Sequence, residues 1–392
     1  MTDIKRAVEA IIREVRSRGD AALCDFARRF DSVRMKPKQI VVSKRELQAA
    51  MGQVSPAFVR ALREAGRRIE SFARHEKRHL LKDWTADEKG VRVGQVVRPM
   101  DSAGLYIPGG RFAYPSTVLM TALPAQVAGV RRIALASPAR NLTPEVLAAA
   151  AYAGCTTIYR LGGAGAIAAL AYGTETVEKV DFIVGPGNQY VTEAKRQIYG
   201  QAGIDSLAGP SEVVIIADAH TPATFIEADL LAQAEHDPEA RAILLCTDRR
   251  LIRRVAARMD SRIGGRISFR YVPSIEAAVE QANEIAPEHL ELLFSQARRY
   301  LSRVRHAGAI FIGPATTAVL GDYVAGPSHV LPTQRAAHFS SGLSVASFLK
   351  RSSVIQFQAR PRERRLWETA MTFAQTEGME HHEKSLRARL SE

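Results

Sequence analysis

The feature that most constrains the fold is an alternation of short apolar runs with helical segments, which begins near Ala103. A second series of the same kind begins at Val213. Strands that alternate with helices form parallel sheets with helices on their faces. The predicted strands are Ala103–Ile107, Arg132–Ala136, Thr156–Leu161, Val180–Val184, Val213–Ala217, Ala242–Cys246, Leu290–Phe294 and Ala309–Ile312.

This alternation predicts the α/β fold class, with two Rossmann-like α/β domains that contain parallel sheets and a small, mostly helical C-terminal tail domain. A chain of 392 residues is longer than one hydrophobic core normally serves. The first hundred residues are expected to be mainly helical, with one helix from Ser55 to about His75. We assign residues 1–105 and 213–343 to the first α/β domain, 106–212 to the second and 344–392 to the tail.

Composition excludes several classes of protein. Apolar residues make up 46% of the chain and charged residues 24%, as in ordinary globular proteins. No run of 18 apolar residues occurs, so no membrane span or membrane partner is expected. Cys24, Cys155 and Cys246 are far apart, which argues against a disulfide framework and favours a cytoplasmic location.

The net charge of +13 has two interpretations. It can attract nucleic acid or anionic substrates, or it can reflect an arginine-rich, solvated surface. The basic residues are spread along the chain, and no RNA-binding or zinc-finger spacing accompanies them. We therefore expect no nucleic-acid partner, although a basic nucleic-acid-binding protein on an old enzyme scaffold remains an alternative.

Glycine-rich turns follow three of the predicted strands. Gly163, Gly165 and Ala168 fit a G-x-G-x-x-A pattern, in which small residues let backbone amides approach a pyrophosphate. The turns 106–110 and 185–188 also end strands, and ligands of α/β sheets bind at such strand ends. A nucleotide site is thus indicated, whereas tight helix–sheet packing is the structural alternative for each turn.

Two further groups of residues are candidates for chemistry. Gln233 and His236 are three positions apart on a predicted helix and share a face, as two ligands of one ion can. A solvated pair is the commoner outcome for this spacing. Glu288 and His289 follow Pro287, which disfavours regular structure before it, so both side chains can point into one cleft. A carboxylate beside an imidazole suits acid–base catalysis near neutral pH, but it can equally be a surface pair.

The segments taken together resemble the histidinol dehydrogenase family. Several long motifs in one order are far more specific than any one of them alone. The motifs are Arg16–Leu23, Gly104–Gly110, Gly185–Asn188, Ala208–Glu212, Gln233–His236, Ala286–Leu290 and Gly321–Tyr323.

The resemblance implies a zinc-dependent homodimer with one Zn²⁺ per subunit. Such an enzyme oxidises L-histidinol to L-histidine through bound L-histidinal, using two NAD molecules. It also implies that the partner's tail contributes to each active site. By motif, the zinc ligands are Gln233, His236, Asp322 and His382, and the acid–base pair is Glu288 and His289. The implied substrate contacts are Ser211, Gln233, His236, His289, Asp322, His329, Glu377 and His382, and the implied NAD contacts are Tyr106, Asn188 and the position of Gly165.

The chain departs from the family pattern at two of these places. Gly165 stands where the family usually has a glutamine that contacts NAD. In the tail, His381 precedes His382 where the family prefers alanine, but the spacing from Glu377 favours His382 as the ligand. A family relative that oxidises another alcohol, such as a sulfonated or phosphorylated diol, therefore stays an alternative function.

Overall fold

The computed structural model describes residues 2–80, 82–88, 91–109, 113–236, 238–259, 266–357 and 364–390. The helices are α1 (Thr2–Arg18), α2 (Asp20–Phe30), α3 (Lys44–Ala50), α4 (Pro56–His79), α5 (Pro115–Ala128), α6 (Pro144–Tyr152), α7 (Gly163–Tyr172), α8 (Gln189–Ile198), α9 (Ala223–His236), α10 (Arg249–Ala256), α11 (Ile275–Ile285), α12 (Ala318–Tyr323), α13 (Arg364–Thr376) and α14 (Glu380–Leu390). The strands are β1 (Trp84–Glu88), β2 (Val91–Pro99), β3 (Ser102–Tyr106), β4 (Arg132–Ser137), β5 (Thr157–Arg160), β6 (Phe182–Val184), β7 (Gly203–Ile204), β8 (Glu212–Ala217), β9 (Arg241–Cys246), β10 (Ile267–Tyr271), β11 (His289–Leu292), β12 (Ala309–Ile312) and β13 (Leu349–Phe357).

Contacts divide the chain into two compact units. The first unit comprises residues 1–78 and 100–348 and contains two five-stranded sheets. The second comprises residues 79–99 and 349–392 and contains a three-stranded sheet with α13 and α14. The sequence analysis divides the chain into three domains rather than two units, and those domain boundaries stay a prediction.

The first five-stranded sheet is parallel and has the strand order β5-β4-β3-β6-β7. Its strands are short, apolar and largely buried because helices cover them. Val8, Ile12 and Val15 of α1 belong to the same buried cluster as Ile167 and Leu170 of α7. The N-terminal helix therefore packs on the first sheet, whereas the sequence analysis grouped it with the second.

The second five-stranded sheet is also parallel and has the order β10-β9-β8-β11-β12. Taken in chain order, both sheets therefore run third, second, first, fourth, fifth. Strand order reverses between β3 and β6 in one sheet and between β8 and β11 in the other. At such reversal points, open α/β sheets bind ligands outside the carboxyl ends of their strands.

The second unit holds an antiparallel sheet of order β1-β2-β13. β13 pairs with β2 along nine residues, from Leu349 opposite Pro99 to Phe357 opposite Val91. This sheet is absent from the sequence analysis because β13 is almost wholly exposed and lacks an apolar alternation.

The eight strands predicted from the sequence are present, each within two residues of its predicted ends. The α/β fold class with parallel sheets is thereby confirmed. Strands β7 and β10 are not predicted, because β7 has only two residues and β10 is only partly buried. Within the described residues, no helix combines the length and apolar character needed to cross a bilayer.

Candidate active site

The predicted acid–base pair lies where α11 gives way to β11. Ala286 ends α11 in the left-handed conformation, with φ of 51°, and Pro287 follows. Glu288 therefore precedes the regular strand, and its carbonyl accepts a hydrogen bond from Ala309 N–H. Glu288 and His289 are both about 5% exposed, and Glu288 Oε2 lies 3.7 Å from His289 Nδ1. The turn thus brings together two side chains that a regular strand would point to opposite faces.

A backbone amide on the neighbouring strand fixes Glu288. The Glu288 Oε2 atom accepts a hydrogen bond of 3.0 Å from the N–H of Glu212, the first residue of β8. Ser211, a predicted substrate contact, comes directly before it and is half-buried. Burial raises the pKa of the Glu212 carboxyl, which Arg241 partly offsets at 3.3 Å. The amino ends of β8 and β11 therefore gather these residues at the reversal point of the second sheet.

Asp322 lies on the other side of the His289 imidazole. Its Oδ1 atom is 4.0 Å from His289 Nε2, so a carboxylate faces each ring nitrogen. His329 Nδ1 lies 3.0 Å from the Asp322 carbonyl oxygen and 3.9 Å from Oδ1. The structure thus places Asp322, His289 and His329 in one cluster.

His329 also connects this cluster to the first sheet. Its Nε2 atom forms a hydrogen bond of 3.1 Å with the hydroxyl of Thr117, in the first turn of α5. Because α5 follows β3, Thr117 lies at the carboxyl end of the first sheet. The contact brings the carboxyl edge of one sheet to the amino edge of the other. Thr117 has no motif of its own, so the sequence analysis did not single it out.

Gln233 is on α9, which contacts α12. The side chain is 5% exposed, and its Nε2 atom has no hydrogen-bond partner among the described residues. A buried amide without a partner costs free energy, so such groups usually serve a ligand or another function. His236 ends α9, but its side chain lies outside the described part of the chain. The described side chains contain no group of three or more His, Cys, Asp or Glu arranged to hold a metal.

Two of the three predicted NAD contacts, Tyr106 and Asn188, lie at the carboxyl ends of β3 and β6, which are neighbours at the reversal point of the first sheet. Tyr106 is buried, and its hydroxyl accepts a hydrogen bond of 3.0 Å from Gly163 N–H. Burial raises the pKa of Tyr106 to about 12, so this group is a neutral hydroxyl at physiological pH. The Asn188 carboxamide oxygen caps α8 by accepting from Tyr190 N–H and Val191 N–H, so any cofactor contact of Asn188 would come from Nδ2.

Gly165 lies on the face of α7 that is turned toward α2. A Cβ atom built at this position would be 3.1 Å from Cδ2 of Phe26. A glutamine at 165 therefore requires Phe26 to move, and the cofactor role of this position stays a prediction. A Cβ at the neighbouring Gly163 would meet no described atom within 4 Å, although the φ of 60° favours glycine there.

A buried ion pair holds the turn that carries Asn188. Lys195 Nζ lies 2.6 Å from Asp205 Oδ1, and the two side chains are 2% and 4% exposed. Lys195 also donates to the Gly185 carbonyl, and Asp205 Oδ2 accepts from Gly185 N–H. The sequence analysis missed this pair. The available signal was a lysine on the apolar face of α8, beside Ala194.

The remaining predicted residues are in the second unit. Glu377 follows α13, and His382 lies in the first turn of α14; both side chains are exposed. His381 and His382 are adjacent helical residues, so they point in directions about 100° apart. Only one of them can face a single site.

Comparisons with known proteins agree along the whole chain. The sequence model of the histidinol dehydrogenase family matches residues 1–390. A histidinol dehydrogenase of Thermosynechococcus vestitus is 48% identical over 100% of this chain and 94% of its own length. One of Gluconobacter oxydans is 45% identical over 99% and 93%. The crystal structure of histidinol dehydrogenase from Elizabethkingia anophelis superposes with a TM-score of 0.91 at 33% identity, covering 99% of this chain and 92% of that one.

Proposed function

Since the chain belongs to the histidinol dehydrogenase family, whose members are NAD-linked oxidoreductases, we propose that it oxidises L-histidinol to L-histidine. The observation that carries the proposal is the buried imidazole of His289 between the carboxylates of Glu288 and Asp322. Alcohol oxidation needs a base for the hydroxyl proton and an acceptor for the hydride. We assign His289 as the base, and the hydride acceptor would be NAD bound at the facing edge of the first sheet.

We propose that Gln233, His236 and Asp322, with His382 of the partner subunit, would hold one Zn²⁺ per subunit. The donor types suit the metal, because zinc accepts imidazole nitrogen and carboxylate oxygen. The buried position of Gln233 on α9, which contacts the helix α12 that carries Asp322, supports a ligand role for its carboxamide oxygen. When bound, the ion would orient substrate nitrogens and stabilise negative charge on the reacting oxygen.

In the first oxidation, His289 accepts the proton of the substrate hydroxyl while the hydride leaves the adjacent carbon for NAD. The charge that His289 gains then lies between two carboxylates, at 3.7 and 4.0 Å, which stabilises it. His329, held by Thr117 and the Asp322 carbonyl, forms part of the wall beside it. Ser211 and Glu377 are proposed to bind the substrate.

In the second oxidation, a water molecule adds to the bound aldehyde. Glu288 takes the proton of that water as the C–O bond forms, and the resulting hydrate gives its hydride to a second NAD. The Glu212 N–H fixes Glu288 Oε2, so the carboxylate is oriented before the water arrives. Tyr106 and Asn188 are proposed to contact the cofactor at the carboxyl ends of β3 and β6.

We propose that the active enzyme is a homodimer in which each tail completes the partner's site. The exposed positions of Glu377 and His382 support this arrangement. Exposed apolar side chains of the second unit support it too, since Ile355 is 66% and Phe373 64% exposed. Large apolar groups in such number are typical of a surface that another subunit covers. A cytoplasmic location stays a prediction from the three free cysteines.

The test is NADH formation by the purified protein with L-histidinol, before and after chelator treatment. We expect turnover that the chelator abolishes and Zn²⁺ restores. His236→Ala should lose bound zinc, measured by elemental analysis, together with activity. An exposed histidine elsewhere on the chain, as in His220→Ala, is the matched control and should keep both. Full activity in metal-free protein would overturn the zinc assignment, and no activity with L-histidinol in the zinc-loaded protein would overturn the substrate assignment.

A further inference from the structure

Two acidic side chains that have no part in the proposed reaction are neighbours at the start of α12. Asp229 is on α9, and Glu291 is on β11 with 0% of its surface exposed. Glu291 Oε1 accepts a hydrogen bond of 2.6 Å from Ala318 N–H, and Asp229 Oδ1 accepts one of 2.7 Å from the Thr317 hydroxyl. The two carboxyl groups therefore hold the cap and the first residue of the same helix, α12.

The pair has more hydrogen-bond acceptors than donors. Glu291 Oε2 is buried and has no donor among the described residues. Asp229 is its acidic neighbour, and two ionised carboxylates in a buried site repel each other. A proton on Glu291 would remove the repulsion and supply a donor to Asp229. Burial, reinforced by the charge of Asp229, raises the pKa of Glu291 to about 8, and burial also raises the pKa of Asp229.

The pair lies on two elements that carry proposed site residues, α9 and β11, and contacts a third, α12. Glu291 is two residues after His289 on β11, so both side chains point to the same face of the sheet. Asp229 is one helical turn before Gln233 on the same face of α9. The helix that the pair holds, α12, ends with Asp322 and Tyr323. A shift at the start of this short helix therefore moves Asp322.

We propose that Asp229 and Glu291 form a carboxyl pair with one shared proton that positions α12 and, through it, Asp322. Both are positioning residues, because they contact the start of α12 and act on the site through Asp322. The effect on metal binding rests on the proposed role of Asp322 as a ligand. The effect on α12 itself does not.

The first experiment compares Glu291→Gln with Glu291→Leu. The amide of Glu291→Gln keeps an acceptor for Ala318 N–H and gives Asp229 a permanent donor, so zinc affinity and kcat should stay within a few-fold of wild type. Glu291→Leu loses both bonds and should weaken zinc binding about 10- to 100-fold in competition with a chelator, as loss of support for a ligand typically does. Hydrogen exchange of peptides covering 316–323 should accelerate in Glu291→Leu only.

Asp20→Leu is the matched control, because it removes another buried carboxylate, which accepts hydrogen bonds from Thr174 and Thr176. It should lower thermal stability without changing the zinc affinity of the folded enzyme or the exchange of 316–323. Equal effects of Asp20→Leu and Glu291→Leu on zinc affinity and exchange would overturn the proposal. So would wild-type exchange of 316–323 in Glu291→Leu.

The shared proton is tested by infrared spectroscopy at neutral pH. Wild type should show the carbonyl band of a protonated carboxylic acid that is missing in Glu291→Gln. Asp229→Asn removes the neighbouring charge but leaves Glu291 buried, which is the main cause of its raised pKa, so the band should remain while α12 keeps its protection. Absence of the band from wild type would overturn the shared proton. Asp322→Asn separates the two proposals. Unchanged zinc affinity in that variant would reject Asp322 as a ligand. The exchange and infrared results test the carboxyl pair independently of that outcome.

Discussion

Three glutamates around β11 differ in how well their roles can be predicted from the sequence. Glu288 was predicted from its place beside His289 and after Pro287. Glu212 stands out in the sequence only as part of a motif, and Glu291 has no predicted role, although it interrupts the apolar run Leu290–Phe294. A charged residue inside a buried strand is a usable signal. What the sequence could not supply was the partner, because Asp229 is more than sixty residues away along the chain.

The division of labour between His289 and Glu288 can be tested with single substitutions. Glu288→Gln keeps the size of the side chain but removes its basicity, so oxidation of L-histidinal should slow more than the first hydride transfer. His289→Asn should slow the alcohol step as well. Loss of a general base costs roughly 10²- to 10⁴-fold in rate, which rapid-mixing NADH measurements resolve. If Glu288→Gln slows both substrates equally, Glu288 instead orients His289 or holds the turn after Pro287.

Among the elements, buried strands were predictable and exposed ones were not. The core strands of both parallel sheets are continuous apolar runs because both of their faces are covered. β13 carries Lys350, Arg351 and two serines and is recognisable only through its pairing with β2. Such pairing joins segments some 250 residues apart, and no local pattern contains it.

At the scale of elements, the buried ion pair of Lys195 and Asp205 should stabilise both the fold and the cofactor turn. Lys195→Met leaves Asp205 as an uncompensated buried charge, which should cost roughly 3–5 kcal/mol in the free energy of unfolding. The KM for NAD should also rise, because Gly185 loses its anchor. Chemical denaturation and initial rates measure the two effects.

The comparison variant is Arg196→Met on the same helix, because the Arg196 side chain is 47% exposed whereas that of Lys195 is 2% exposed. Exposed pairs contribute little to stability, so this variant should stay close to wild type in both measurements. A Lys195→Met protein as stable as Arg196→Met would show that the buried pair does not hold the turn.

For the whole molecule, the proposed exchange of tails predicts complementation between two inactive proteins. His289→Asn and His382→Ala should each be inactive as homodimers. In a random mixture of subunits, half of the dimers are mixed, and each mixed dimer has one intact site if His382 acts across the interface. Co-expression should therefore restore about a quarter of wild-type activity per subunit. If His382 serves its own subunit, the mixture stays inactive.

Two five-stranded sheets with one strand order also bear on how such an enzyme changes over time. One sheet holds the proposed cofactor contacts at its carboxyl edge, and the other holds the proposed acid–base residues at its amino edge. In the proposed reaction, hydride acceptance and proton transfer thus take place at different sheets. Selection can then alter the alcohol that is recognised through residues of the second sheet, while the first sheet keeps its contacts to the electron carrier unchanged.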